Sequence, residues 1–246
     1  MNSIRLSQFA KKNNKIIVKW KKKLSLSNLP LSVQNALYDI YPELIGEFVS
    51  GAPSVITSNN SGNVDLKIVN GSKCIMESLC WKDRSIQIEI EKKISRSIRS
   101  NNSEVFIDVP PDFILVTLLD KDGNPRKRED FPINIDLVLN ENDSNVVIPI
   151  SCSISEKIEI SNKQKLPIQY QQHAVDLGFS FTVWKVQGLT FDKIIIHLDP
   201  VEGCKDWTFE NIYVAFSRVR KNAGIRCLKL DARFNPVKLI KKIPNI

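Results

Sequence analysis

Residues 193–230 restrict the fold more than any other part of the chain. Lys193 to Leu198 reads as one apolar strand, Ile194-Ile195-Ile196-His197-Leu198, the pattern expected of a parallel sheet covered on both faces. Phe209, Ile212, Tyr213, Phe216 and Val219 then recur at helical spacing, which predicts a helix over 208–220 with one buried face. Ile225 to Leu230 is apolar again and predicts a second strand. Strand, helix, strand is the signature of an α/β fold with a parallel sheet.

The upstream texture is different. Residues 5–13 suit a short helix, and Ile16 to Trp20 a strand. Leu31 to Tyr41 suits a helix stopped by Pro42. Val55 to Thr57 reads as a strand that ends in the polar loop Ser58 to Asn63. Leu66 to Gly71 and Cys74 to Trp81 read as two strands joined around Asn70-Gly71, a hairpin signal. Ile86, Ile90 and Ile94 recur every four residues, so 86–99 is expected to be an amphipathic helix. Short strand-like runs follow at 113–119, 133–139, 145–150 and 156–160. Turn sequences separate them at Asp122-Gly123-Asn124-Pro125 and at Asn140 to Asn145. Short strands at this spacing predict a small β-barrel.

Composition narrows the function classes. No apolar run approaches the roughly 20 residues of a membrane span, and no membrane partner is expected. The N-terminus lacks the apolar core of a secretion signal. The cysteines, five in all, form no CxxC, and His173 and His197 are not at ligand spacing, so no metal site is expected. The formal charge of +8 is uneven. Residues 1–38 carry eight of the 35 basic side chains and no acid, leaving 27 cations against 27 anions in the rest. Such a lead-in can neutralise nucleic-acid phosphates. From charge alone, a solvated lysine-rich lead-in is the simpler reading.

Two segments carry the chemistry. The first is Phe181-Thr182-Val183-Trp184-Lys185-Val186-Gln187-Gly188-Leu189-Thr190, and the second is Tyr213-Val214-Ala215-Phe216-Ser217-Arg218-Val219-Arg220. With the strand between them, they resemble the last two signature motifs of superfamily-one DNA helicases, most closely the Pif/RecD-like branch. The family's T-V-H-K-x-Q-G-x-T pattern is matched at Thr182, Val183, Lys185, Gln187, Gly188 and Thr190, with Trp184 in the usual His position. Its Y-V-A-x-S-R-V pattern is matched from Tyr213 to Val219. More weakly, Phe48 to Pro53 followed by Val69 to Ser72 is similar to the stretch that opens the family's Src-homology-3-like insert.

The resemblance implies a partial RecA-like second helicase domain, a parallel sheet with helices, carrying an inserted small barrel. The implied divisions are 1–45 (basic lead-in and first elements of that domain), 46–165 (barrel-like insert) and 166–246 (C-terminal part). It implies that Arg218 is an arginine finger, the group that can contribute on the order of 10³–10⁵ in phosphoryl-transfer rate. Gln187, Gly188 and Arg218 would meet nucleotide. Thr182, Trp184, Lys185, Thr190 and Asn70 would meet single-stranded DNA. Each position has a plainer reading: Arg218 as a solvated helix face, Trp184 as core, Lys185 as solvated and Asn70-Gly71 as a simple turn.

No G-x-x-x-x-G-K-[ST] occurs, and no Asp-Glu pair follows an apolar strand. The ATP and magnesium of the family are therefore expected only where a first RecA-like domain, upstream or separate, complements this chain. Alone, the chain is expected neither to hydrolyse ATP nor to unwind duplex. A non-catalytic nucleic-acid- or partner-binding module, or an inert helicase relic, are the alternatives. The family implies an intracellular setting, nucleus or mitochondrion.

Overall fold

The computed structural model describes residues 2–25, 30–59, 68–131, 138–139, 146–154, 158–160, 166–198 and 208–228. They fall into two compact units, Met1–Ser180 and Phe181–Ile246.

The first unit begins with α1 (Asn2–Lys12), which buries Leu6 and Ala10. Strand β1 (Ile17–Lys21) follows; Ile17, Val18 and Trp20 are all buried. β1 pairs antiparallel with β2 (Ile45–Phe48) and parallel with β5 (Glu104–Ile107), a three-stranded mixed sheet. Helix α2 (Leu31–Ile40) stops at Pro42, as its sequence requires, and a 3-10 turn leads on to β2. Helix α3 (Arg84–Arg99) is capped by Asp83, whose carboxylate accepts the Ser85 N–H at 2.8 Å. Ile90 is buried, with Ile86 and Ile94 against the same core, so the four-residue repeat is the packed stripe.

The second sheet is antiparallel. Its strands are β3 (Pro53–Ile56), β4 (Lys73–Cys80), β6 (Phe113–Leu118), β8 (Val146–Ile154), β11 (Gln171–His173) and β12 (Val175–Leu177). The short β7 (Val138–Leu139) adds to β8, while β9 (Ile158–Ile160) and β10 (Leu166–Ile168) form a separate hairpin. The order β11-β8-β6-β4-β3-β12 places β11 and β12 at opposite edges, yet only Ala174 separates them in sequence. The Thr57 N–H donates to the Ala174 carbonyl at 2.9 Å. The sheet is thus nearly closed. One continuous core joins it to α1, α3 and the mixed sheet, from Leu6 and Trp20 to Val116 and Ile150.

The hairpin partner of β4 differs from the expectation. Ile68 and Val69 are not in a strand; β4 pairs instead with β3. Asn70-Gly71 does form a turn, closed by Ser72 N–H to the Val69 carbonyl at 2.9 Å with Gly71 at φ +91°. A left-handed glycine can close a turn without strand partners on both sides. The expected turn at 122–125 is present: Asp120 accepts the N–H groups of Asp122 and Asn124, each at 2.8 Å. Residues 133–137 and 140–145 lie outside the described residues.

The second unit holds β13 (Ile194–Ile196), α4 (Phe209–Phe216) and β14 (Ile225–Cys227), with β13 and β14 parallel. The α/β pattern is present, with two corrections. Ile196 and Leu198 are buried with Ala215, but Ile195 is 68% exposed. Among the described residues β13 pairs only with β14, and α4 covers one face, so alternate strand residues face opposite environments. The buried face of α4 is also not the expected one. Ala215 is its buried residue, whereas Tyr213 is 64% exposed and Phe216 is exposed. The packed stripe thus runs through Ala215, which is buried with Ile196 and Leu198, and not through Tyr213 and Phe216. No helix among the described residues is long and apolar enough to cross a membrane.

Candidate nucleotide and nucleic-acid site

The candidate site lies within the second unit. Val183 packs against the core of Ile196, Leu198 and Ala215 and so anchors the segment that carries it. Its neighbours Thr182 and Trp184 are exposed, as are Lys185, Gln187, Gly188 and Thr190. Trp184 to Val186 form a 3-10 turn. It is closed by Lys185 N–H to the Thr182 carbonyl at 3.1 Å, with Leu189 N–H to the Val186 carbonyl at the same distance. Gly188 has φ +82° and nothing within 4 Å of where a Cβ would stand. Conformation, not crowding, requires glycine there, and the open space leaves room for a ligand.

Helix α4 supplies the arginine. Thr208 caps its start, accepting the Asn211 N–H at 3.3 Å. Its end delivers Ser217 and Arg218. The Arg218 Nε donates to the Val214 carbonyl at 2.9 Å and to Ser217 Oγ at 3.2 Å, and one terminal nitrogen reaches Ser217 Oγ at 2.6 Å. The other donates to the Leu189 carbonyl at 3.3 Å. In return, Phe191 N–H donates to the Arg218 carbonyl at 2.8 Å. The two signature segments are therefore physically joined, and the guanidinium lies beside the turn that contains Lys185 to Gly188. A cation at a helix C-terminus is also favoured by the dipole.

Arg218 is half-buried and is in no ion pair among the described residues. Its acceptors are neutral carbonyls and a hydroxyl, so its charge is not cancelled locally. A guanidinium has five N–H groups, and after these contacts one on each terminal nitrogen is left to face an acceptor such as a phosphate oxygen. Residues 181–190 and 213–220 contain no carboxylate. The charge that these two segments present is therefore positive.

Thr182, Trp184, Lys185, Gln187, Gly188, Thr190 and Arg218 thus share one unit. Asn70 does not: it sits in the first unit, its N–H held by Asn59 Oδ1 at 2.7 Å. Sequence reasoning gave no role to Ser217 or to the Leu189 carbonyl, which hold the arginine. A serine immediately before the arginine was the available signal; a backbone carbonyl leaves none.

No curated protein matches the chain. Among solved structures it is similar to the Pif1 helicase of Candida albicans, at 16% identity and TM-score 0.48, covering 96% of this chain and 44% of that one. It is also similar to Bacteroides Pif1 bound to single-stranded DNA, at 19% identity and TM-score 0.41, covering 94% and 36%. Bacteroides sp. Pif1 in complex with ADP-AlF4 is similar at 18% identity and TM-score 0.35, covering 89% and 35%. The chain spans less than half the length of each. The family described as the viral superfamily 1 RNA helicase core domain matches residues 86–227, more than half of the chain and both segments joined by Arg218, and the chain belongs to that family of superfamily 1 helicases.

Proposed function

We propose that this chain is the second RecA-like portion of an ATP-dependent DNA helicase, with Arg218 as its arginine finger. The observation that carries the reading is the join between the two segments: one side chain, Arg218, is bound to its own helix end and to the Leu189 carbonyl of the neighbouring turn. A charged group held this way is pre-aimed and costs little reorganisation when phosphate charge develops. The exposed Gln187 and Gly188 of the neighbouring turn meet the nucleotide. A P-loop-bearing domain, on the same or another polypeptide, would supply the phosphate cradle and hold the magnesium, which would neutralise charge developing on the phosphate groups.

The exposed ring of Trp184 stacks on a base, and Lys185, Thr182 and Thr190 contact the backbone of single-stranded DNA. Because Leu189 belongs to the same turn, a shift of Arg218 toward phosphate pulls on the turn that holds the strand. The nearly closed sheet of the first unit, with its central strands in 46–165 and its edge strands β11 and β12 just beyond, corresponds to the Src-homology-3-like insert, and Asn70 is its strand contact. Residues 1–45 and, apart from the edge strands β11 and β12, 166–246 supply the RecA-like portion.

Two measurements test this. In a fusion to a P-loop-bearing superfamily 1 domain, Arg218→Ala lowers DNA-stimulated ATP turnover by about 10³-fold or more, while the unfused chain turns over no ATP. In direct binding, Trp184→Ala weakens a single-stranded DNA oligonucleotide by about 5- to 100-fold, the range for loss of one stacked base. Turnover by the fusion that is indifferent to Arg218 sinks the finger assignment. Tighter binding to RNA than to DNA would move the substrate to RNA.

A further inference from the structure

Six of the eight basic side chains of the N-terminal segment fall into two sets in the fold. Lys19 pairs with Glu47 and Glu104. Lys21 donates to Asn35 Oδ1 at 2.9 Å and lies 4.9 Å from the Tyr38 ring. Lys22 lies 5.0 Å over the Tyr170 ring, and burial lowers its pKa. These three are structural. Lys11, Lys12 and Lys15 are exposed, and the topology gives them company from elsewhere.

β1 and β5 run parallel, with Ile17 opposite Glu104. The Ile17 N–H donates to the Ser103 carbonyl at 3.0 Å. The turn entering β1 and the turn entering β5 are therefore side by side, and the C-termini of α1 and α3 feed them. α3 brings Arg96 and Arg99, both exposed. Lys11, Lys12, Lys15, Arg96 and Arg99 thus share one end of the sheet, although more than 80 residues separate the two groups in sequence. None of the five is in an ion pair among the described residues. Glu104, the acid that borders the turn into β5, is already taken by Lys19, and Glu91, five residues before Arg96, accepts from Gln87.

The rest of the two turns is neutral and rich in donors. Each helix ends on an asparagine in the left-handed region, Asn14 at φ 52° and Asn101 at φ 56°. Asn13, Ser100, Asn102 and Ser103 complete the surface, and neither turn contains a carboxylate. Cations interspersed with amide and hydroxyl donors, without acids, are the side chains that contact phosphate oxygens along a nucleic-acid backbone. The helix dipole favours cations in the last turns, but it does not account for Lys15 or for the lack of any acid.

We propose that this end of the first unit is a second, sequence-independent contact surface for a nucleic-acid phosphate backbone, separate from the Thr182–Thr190 segment and Arg218. In an open α/β sheet small ligands bind at the carboxyl ends of the strands. This patch is at the opposite ends of β1 and β5.

The test is fluorescence anisotropy of the whole chain with a labelled single-stranded DNA oligonucleotide of about 20 nucleotides, from about 50 to 200 mM salt. The variants are K11Q/K12Q/K15Q, R96Q/R99Q and, as a charge control on another exposed turn, K121Q/K127Q. Thermal melts establish that each is folded. The expected result is that both patch variants bind at least about 10-fold more weakly at low salt, with the salt slope shallower by about 0.7 for each cation removed. The control changes less than about 2-fold. Wild-type-like slopes in both patch variants overturn the inference, as does an equal loss in the control. Retained DNA binding with lost binding to a polyglutamate peptide also overturns it, in favour of an acidic protein partner. Trp184→Ala separates the two sites: binding lost there with patch slopes unchanged leaves the helicase reading standing without this surface, and the reverse leaves this surface without that reading.

Discussion

His173 shows how much one residue can hide. In the sequence it is not at ligand spacing. In the fold it is buried, packed edge-on against Trp20 with ring centroids 6.3 Å apart, and its Nε2 has no hydrogen-bond partner among the described residues. Burial pushes its pKa down to about 4, against hydrogen bonds from the ring to the backbone of Asp112 and Pro111 that act the other way. Lys22 and Asp112 are the charged groups that act on it. The folded state therefore binds the His173 proton less readily than the unfolded chain, whose histidines titrate near 6.5. Stability is fully present above pH 6.5 and falls as the pH drops toward 4, by about 3 kcal/mol over the window. Urea midpoints of the wild type should decline across that range, and those of His173→Gln should decline less; parallel profiles would show that another group is responsible. At Arg218 the residue type and its motif were readable. The acceptors that hold it were not, because two of them are backbone carbonyls.

At the scale of elements, the helices and strands with a clear period were legible. α2, α3 and β1 lie within two residues of where spacing and Pro42 placed them, and α1 begins three residues before the expected 5–13, at Asn2. Misreadings arose where pairing, not periodicity, decides. Ile68-Val69 had strand chemistry but no strand partner, since β3 already occupied that side of β4. The stripe on α4 was assigned to the large side chains, while packing selected Ala215. The pairing of β1 with β2 depends on one small residue. Gly46 stands directly opposite Trp20, and a Cβ on it would clash with Cε2, Nε1 and Cζ2 of the indole ring. Gly46→Ala must displace a buried tryptophan, and overpacking of this kind costs typically about 1–3 kcal/mol. A chemical-denaturation midpoint unchanged by the substitution would show that the ring can move aside without penalty.

At the scale of the molecule, the core of the first unit is a single cluster running from α1 through the mixed sheet into the antiparallel one. Met1–Ser180 alone should therefore melt in one cooperative transition and keep the near-ultraviolet signal of the buried Trp20 and Trp81. A broad, non-cooperative melt of that fragment would mean that its core is incomplete without the rest of the chain. The sequence by itself determined the α/β class, the periodic elements and the identity of the two signature segments. These depend on local periods, on proline and glycine, and on residue types at fixed spacing. The tertiary structure decided which strands pair, the near-closure of the second sheet, the join of Arg218 to Leu189, and the meeting of Lys11, Lys12 and Lys15 with Arg96 and Arg99. Those features are contacts between residues distant in sequence, selected by competition for backbone partners and buried volume that no local pattern records.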